Sequence, residues 1–180
     1  MIRRRTHPSP LGPLTLVADE DGLVAVLWPD DDPARVRVDA RDITGDMTDD
    51  GGGEHTGTIG VVDAVLDRTA SQLDEYFAGE RTEFDVPLAP RGTPFQRAAW
   101  DVLRTIPFGA TMSYGEQARA LGDANRARAV GAANGRNPLS IVVPCHRVRG
   151  SDGRLTGFAG GLDAKAWLLD HERRVLAANE

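Results

Sequence analysis

The stretch that decides the fold is SYGEQARALGDANRARAVGAAN, residues 113–134. Ser113 can accept a hydrogen bond from the backbone amide of Glu116, whose side chain can reach back, so a helix is predicted to begin here and to end near Gly122. A second helix, rich in arginine and small residues, is predicted from about residue 126 to 134. Two short helices joined by a glycine-containing turn indicate a helix-turn-helix, although such a pair can also serve packing alone.

A further helix is predicted upstream of this motif. Thr93 can cap it, Pro94 suits its first position, and Gln96 completes a second capping box. We expect this helix to reach about Thr105.

Downstream of the motif we predict a strand, a loop and a last helix. Ile141-Val142-Val143 is interpreted as a short buried strand that leads into Pro144-Cys145-His146-Arg147-Val148. The glycines between residues 150 and 161 predict a loop. A last helix follows and is expected to end near residues 171–174. Its apolar positions are Leu162, Ala166, Trp167, Leu168 and Leu169.

The first half of the chain has the pattern of a small sheet with one helix. Apolar runs at residues 12–17 and 22–28 flank Asp19-Glu20-Asp21-Gly22, which predicts an antiparallel hairpin. Residues 58–78 have helical periodicity and are followed by Gly79, so we expect an amphipathic helix that packs on the hairpin. Phe84-Asp85-Val86-Pro87-Leu88 alternates like a strand.

The polarity of the connecting segments indicates the domain boundaries. An acidic, glycine-rich stretch over about residues 30–57 predicts a mobile loop outside the core. We place an α/β N-terminal domain at residues 1–88, a linker at 89–92, a mainly helical C-terminal domain at 93–172 and a tail at 173–180.

The charge is divided unequally between the two halves. The whole chain has a formal net charge of −6, but residues 1–90 hold 8 Lys and Arg against 19 Asp and Glu, whereas residues 91–180 hold 13 against 8. Contacts to phosphate need local positive charge, so the second half fits nucleic acid even though the average does not. The same distribution is also compatible with ordinary solvated charge.

Composition argues against a membrane protein and against a metal site. No apolar run is long enough to cross a bilayer, and the basic start lacks the apolar core of a signal peptide, so we expect a soluble, cytoplasmic protein without a membrane partner. One cysteine cannot form an internal disulfide, and four scattered histidines form no cluster with ligand spacing. We therefore expect no metal and no cofactor.

The single cysteine, Cys145, is the candidate nucleophile. Free cysteines are most often inert core residues, but a reactive thiolate needs a base and positive surroundings, and His146 and Arg147 follow directly. A histidine base is usually held by a carboxylate, for which Glu172 and Asp170 are the candidates. The charge of Glu172 near a helix end would oppose the helix dipole, which favours a specific partner. These residue types leave both a hydrolase and an alkyl acceptor open.

Taken in order, the helix-turn-helix, Asn137-Pro138 and Pro144-Cys145-His146-Arg147-Val148 resemble the O6-alkylguanine-DNA alkyltransferase family, the methylated-DNA–protein-cysteine methyltransferases. The resemblance is dense from about residue 92 to 172 and loose before that. Further matching motifs are Thr111-Met112-Ser113-Tyr114-Gly115, Arg126-Ala127-Arg128-Ala129-Val130-Gly131 and Gly157-Phe158-Ala159-Gly160-Gly161-Leu162. The resemblance implies an N-terminal α/β domain of ribonuclease-H-like shape, with a small antiparallel sheet and a helix, followed by the helix-turn-helix domain that holds the site.

The resemblance also implies catalytic roles. Cys145 would accept the alkyl group, His146 would take its proton through a water molecule, and Glu172 would orient His146. Tyr114 would supply a proton to the guanine as the alkyl group leaves. Asn137 would brace the turn between the helix-turn-helix and the active-site segment.

The implied DNA contacts come from the second helix of the motif and the loops beside it. Arg128 would fill the space that an extruded nucleotide leaves, while the small residues Ala129 and Gly131 would permit close approach to the minor groove. Ser151 would also contact DNA. The base pocket would be bordered by backbone groups of Val148, the ring of Phe158, where many members have tyrosine, and the amide of Ala159.

The resemblance therefore implies stoichiometric, irreversible repair of O6-alkylguanine, and of O4-alkylthymine, after base flipping in double-stranded DNA. We expect a monomer and leave cooperative assembly on DNA open. A binding-only relative is disfavoured because such proteins replace the acceptor that Cys145 provides. A transcription regulator with an added cysteine-rich zinc module is disfavoured by the single cysteine, and a cysteine hydrolase would require an accidental resemblance.

Overall fold

The N-terminal half is built on a four-stranded sheet. The computed structural model describes residues 1–32, 34–36, 38, 43–46 and 57–180, with the backbone alone for 43–46. The strands are β1 (Ile2–His7), β2 (Leu14–Asp19), β3 (Gly22–Leu27) and β4 (Ile43–Asp46). Their order in the sheet is β3-β2-β1-β4, in which β2 is antiparallel to both β1 and β3, and β4 is parallel to β1. The segment predicted to be a mobile loop, residues 30–57, lies largely outside the described residues.

The predicted hairpin is confirmed, with a turn stabilised by an aspartate. The Asp19 carboxylate accepts hydrogen bonds from the amides of Asp21 and Gly22 at 3.0 and 3.2 Å. Gly22 has a φ of 145°, and a Cβ there would lie 2.5 Å from the carbonyl oxygen of Pro87. The turn therefore needs glycine both for its backbone conformation and for its contact with the chain that leaves the domain.

The helix α1 (Thr58–Ala78) covers one face of the sheet with the predicted bounds, and Gly79 ends it in a left-handed conformation. Strand β1 was missed in the sequence, where its basic residues resemble a solvated terminus. In the structure these residues contact acidic residues of α1. Arg3 and Arg5 form ion pairs with Asp63 and Asp67, and His7 is hydrogen-bonded to Asp74.

The strand predicted at residues 84–88 is wrong apart from one bridge between Leu88 and Leu23. The Gln72 side chain of α1 explains the difference, because it accepts from the Asp85 amide at 2.8 Å and donates to the Asp85 carbonyl at 3.0 Å. A side chain thus satisfies the backbone groups that a neighbouring strand would otherwise bind.

The C-terminal half contains the predicted helices. They are α2 (Pro94–Leu103), α3 (Tyr114–Ala120), α4 (Ala127–Gly135), which follows a 3₁₀ turn over Ala124–Arg126, and α5 (Leu162–Ala178). Both predicted capping boxes are present, each with its side-chain and backbone hydrogen bonds. Helix α5 runs beyond the predicted end at residues 171–174 and through most of the supposed tail. Leu162 and Ala166 lie on its exposed side, whereas Lys165 and Glu172 lie on its buried side.

Residues 141–143 form a turn rather than the predicted strand. The Asn137 side chain donates to the Val143 carbonyl at 2.9 Å and accepts from the Leu139 amide at 3.0 Å, so it folds this segment back on itself. Ile141 adopts a positive φ of 73° within the turn. A 3₁₀ turn over Cys145–Arg147 follows, and then β6 (Val148–Arg149) pairs in parallel with β5 (Met112–Ser113).

The two halves share one hydrophobic core. Its buried members include Leu66 and Tyr76 from α1, Leu103 from α2, and Leu168 from α5, together with Cys145. Among the described helices, none combines the length and the apolar character that crossing a membrane requires. The consequence of the shared core is that residues of the N-terminal half reach the surroundings of the cysteine.

A buried amide pair links the two helices of the helix-turn-helix. Gln117 of α3 and Asn134 of α4 exchange side-chain hydrogen bonds at 2.9 and 2.7 Å, and Gln117 also donates to the Ala99 carbonyl of α2 at 3.0 Å. Because Gln117 is fully buried, its amide depends on these partners.

We expect Asn134→Ala to lower the free energy of unfolding by about 1–3 kcal/mol, because it leaves buried polar atoms of Gln117 unpaired. Urea unfolding followed by circular dichroism measures this loss. Arg97→Ala, at an exposed position of α2, serves as the control and should change stability by less than about 0.5 kcal/mol. Equal stability of the two variants would contradict the role of the pair.

Candidate active site

Cys145 lies at the start of a 3₁₀ turn, where its side chain is buried and the residue is 7 % exposed. Burial raises the pKa of its thiol, while a hydrogen bond from Asn137 and the positive charge of Lys165 act in the opposite direction. The isolated thiol is therefore protonated at neutral pH, and its reaction requires a base.

His146 and Glu172 are hydrogen-bonded to each other inside the protein, and neither side chain is exposed. The His146 Nε2 atom lies 2.7 Å from Glu172 Oε1. The alternative carboxylate, Asp170, is partly exposed and pairs instead with Arg173 and Arg174. Residue types alone left both carboxylates open, and the structure places beside His146 the one that the family resemblance implied, Glu172. The dipole argument for Glu172 was wrong, because α5 continues beyond it to Ala178.

The Glu172 carboxylate is surrounded by donors. Tyr76 Oη donates to Oε1 at 2.9 Å, the Gly109 amide donates to Oε2 at 2.9 Å, and the Arg147 guanidinium donates to both oxygens. Burial acts to raise the pKa of Glu172, but the hydrogen bonds and positive charge of His146 and Arg147 outweigh it and lower the pKa to about 2. Glu172 is therefore ionised throughout the physiological range.

An ionised Glu172 determines the tautomer of His146. A carboxylate can only accept, so His146 Nε2 must carry the proton that it donates. Burial lowers the pKa of His146, despite the opposing effect of Glu172, so the ring is neutral and Nδ1 holds a lone pair. Nδ1 is buried and has no hydrogen-bond partner among the residues that the structure describes. The ring next to the thiol is thus prepared to accept a proton at Nδ1.

A largely apolar cavity of about 770 Å³ brings together most of the predicted DNA-contacting residues. Its lining includes Tyr114, Arg128, Gly131, Ser151, Phe158 and Ala159. Ala129 is not among them, because it faces a separate cavity beside Arg136 and Phe95. Val148 is fully buried, and its amide donates to the Cys145 carbonyl.

The Tyr114 ring borders the cavity and is tied to the glycine-rich loop. Its hydroxyl donates to the Thr156 carbonyl at 3.3 Å. Lys165 Nζ donates to the same carbonyl at 2.8 Å and lies 5.9 Å from the centre of the Tyr114 ring. Desolvation lowers the pKa of Lys165, while the nearby Cys145 raises it.

Several residues of the site were missed in the sequence. Lys165 is one of them, and it lies on the buried face of α5 together with the predicted Glu172. A lysine among apolar positions of that helix was the available signal. Trp28 packs edge-on against Phe158, with ring centroids 5.5 Å apart, and also contacts Gly160. Nothing near Trp28 or Tyr76 in the sequence indicates these contacts, because their partners lie in the other half of the chain.

Comparison with known protein families covers nearly the whole chain. The ribonuclease-like domain model of 6-O-methylguanine DNA methyltransferase matches residues 2–90, and the DNA-binding domain model matches residues 94–174. These matches confirm the predicted fold class.

Named relatives and solved structures agree with the family models. A methylated-DNA–protein-cysteine methyltransferase of Mycolicibacterium paratuberculosis is 46% identical over 97% of this chain and 94% of the relative, and one of Methanosarcina acetivorans is 44% identical over 91% and 94%. The crystal structure of Mycobacterium tuberculosis OGT in complex with DNA superposes with a TM-score of 0.80 at 40% identity, covering 96% of this chain and 94% of that one.

We expect Glu172→Gln to lower the free energy of unfolding by about 3 kcal/mol at pH 7, because it leaves the buried Arg147 without its anion. Since the folded-state pKa of about 2 lies below the usual 4.5, ionised Glu172 contributes its full stabilisation above pH 4.5 and loses it as the pH falls towards 2. Urea unfolding across this range should show the difference between wild type and variant narrowing. Glu180→Gln, at the exposed terminus, is the control. A difference independent of pH would contradict the assignment.

Proposed function

This chain belongs to the 6-O-methylguanine DNA methyltransferase family, and we propose that it repairs O6-alkylguanine in double-stranded DNA by transferring the alkyl group to Cys145. It is a DNA-repair enzyme of the methylated-DNA–protein-cysteine methyltransferase class. The observation that carries the proposal is the geometry of His146, which follows the only cysteine in the chain: its Nε2 lies 2.7 Å from Glu172 Oε1, and its buried Nδ1 has no hydrogen-bond partner in the described part of the chain.

The reaction begins when His146 draws the thiol proton of Cys145, through one water molecule, to Nδ1. The thiolate attacks the alkyl carbon, so that a sulfur–carbon bond forms as the carbon–oxygen bond breaks. The electron pair of the broken bond moves onto the guanine, and Tyr114 supplies the proton that neutralises the developing charge. The positive charge of Lys165 favours the thiolate, and Asn137 donates to it.

The product is a thioether, which is stable to water. Unlike an acyl-thioester, it offers no carbonyl for an activated water to attack, so each molecule acts once. The same chemistry extends to O4-alkylthymine, in which an alkyl group is likewise attached to an exocyclic oxygen of the base.

The burial of Cys145 supports a mechanism in which the damaged base leaves the duplex. At 7 % exposure Cys145 is poorly accessible to a base within the stack, and in the proposal the nucleotide is extruded towards the cavity bordered by Tyr114, Phe158 and Ala159. The Arg128 side chain is exposed at the rim of this cavity and takes the place of the extruded base. The small Gly131 beside it allows α4 to enter the minor groove. Ser151, which also lines the cavity, contacts the DNA backbone nearby. The protein acts as a monomer.

Mass spectrometry tests the transfer directly. After incubation with a duplex oligonucleotide containing O6-methylguanine, we expect the protein to gain one methyl group on Cys145, with no more lesions repaired than protein molecules added. An unmethylated duplex and the Cys145→Ser variant are the controls, and a duplex containing O4-methylthymine tests the second substrate. Unchanged mass with the lesion still bound would instead identify a binding-only protein.

Arg128→Ala should slow repair in duplex DNA by roughly tenfold or more, because an unstacking cost of about a few kcal/mol is no longer offset. Repair of the same lesion in a single-stranded oligonucleotide should change less, since no partner strand holds the base. Rates are compared with those of Arg174→Ala, which removes the same charge from the exposed side of α5. Equal losses on both substrates would argue against insertion of Arg128.

A further inference from the structure

We propose that Tyr76, a residue of the N-terminal domain, is a positioning residue for the reaction and acts on His146 through Glu172. The inference deepens the proposed function and rests on it. In this proposal a residue of the ribonuclease-like half of the chain influences how readily His146 accepts a proton.

The Tyr76 hydroxyl is a direct hydrogen-bond partner of the carboxylate that holds His146. Tyr76 lies on α1, is fully buried, and donates to Glu172 Oε1 at 2.9 Å. The same oxygen is 2.7 Å from His146 Nε2. Tyr76 and His146 therefore compete for the electron density of one oxygen atom, so a change in either hydrogen bond affects the other.

The surrounding side chains hold Tyr76 in this position. Its ring packs against Phe84 and, edge-on, against Phe108, with ring centroids 5.5 and 6.0 Å away. Its backbone carbonyl lies 2.8 Å from Nε2 of His171, a residue of α5 that stacks on Trp167. The hydroxyl thus approaches Glu172 from a fixed direction, set by contacts on both sides of the domain boundary.

Tyr76 remains a neutral donor. Burial raises the pKa of its hydroxyl well above the usual value of 10.0, and the negative charge of Glu172 raises it further. It can therefore reduce the basicity of the carboxylate without adding a charge near His146, which distinguishes it from Arg147.

The charged groups that affect the pKa of His146 come from its own segment and from α5. Glu172 raises the pKa of His146, whereas burial, Arg147 in its own segment and Lys165 from α5 lower it; Cys145 is its neighbour in the chain. Removal of the Tyr76 hydroxyl takes away one hydrogen bond that partly neutralises the negative charge on Glu172 Oε1. The carboxylate then stabilises a protonated His146 more strongly. The pKa of His146 should then rise, and less of the ring is available as a base below neutral pH.

The test compares Tyr76→Phe with Phe84→Leu in the full chain. Both variants disturb the same aromatic cluster, but only the first removes a donor to Glu172. The rate of methyl transfer from an O6-methylguanine oligonucleotide is measured against pH. Tyr76→Phe should move the acid limb of the profile upward by about 0.5–1 pH unit, a change expected of a pKa perturbation by one hydrogen bond. Phe84→Leu should leave that limb in place.

An NMR titration of histidine-labelled protein gives a second readout that does not depend on repair. The His146 signal, assigned by its loss in His146→Gln, should take up a proton at a higher pH in Tyr76→Phe than in wild type. Site-specific incorporation of 3-fluorotyrosine at position 76 provides a stronger hydrogen-bond donor, so His146 should take up its proton at a lower pH. This replacement also keeps the test decisive if Tyr76→Phe folds poorly.

Opposite shifts with these two replacements would support the proposal. An unchanged His146 titration, or an equal shift in Phe84→Leu, would overturn it. If wild-type protein accepts no methyl group while the NMR shifts occur, the proposed repair function fails but the coupling of Tyr76 to His146 stands.

Discussion

A single buried carboxylate, that of Glu172, receives hydrogen bonds from three separate parts of the chain. Tyr76 comes from α1, the Gly109 amide from the loop after α2, and His146 with Arg147 from the segment of the nucleophile. An isolated ion at this depth would be strongly unfavourable, and these donors make it the stable form. Because the carboxylate stays ionised, it orients His146 and fixes its tautomer, on which the proposed removal of the thiol proton depends.

The N-terminal half, although acidic, contributes buried side chains to the surroundings of the site. The N-terminal half has 19 acidic residues in its first 90 positions, and those that pair with side chains of β1 include Asp63, Asp67 and Asp74. Its contribution to the site is buried: Tyr76 reaches the carboxylate, and Trp28 supports the glycine-rich loop at Phe158 and Gly160. In the proposed mechanism the basic half presents Arg128 and the cavity to DNA, while buried residues of the other half contact the site from within the protein.

Predictions from the sequence were most accurate where structure is decided by neighbouring residues. The capping boxes at Thr93 and Ser113, and the left-handed end of α1 at Gly79, occur as predicted because their hydrogen bonds form within a few residues. Errors occurred where a distant side chain took over a backbone bond. Gln72 replaced a strand partner of Asp85, and Asn137 turned residues 141–143 away from an extended conformation.

The sequence by itself determined the helix-turn-helix, the fold class, and Cys145 as a thiol with His146 beside it, because all of these depend on local patterns and residue types. Residue types alone left Asp170 open beside Glu172, which the family resemblance favoured and which lies beside His146 in the structure. Only the tertiary structure decided that Tyr76 joins Glu172 and His146, and that Lys165 lies buried near the thiol. The hydrogen bonds of Glu172 to His146 and Tyr76 span 26 and 96 residues. Contacts at such separations form only when the core packs two distant helices together, and no periodicity or capping motif encodes them.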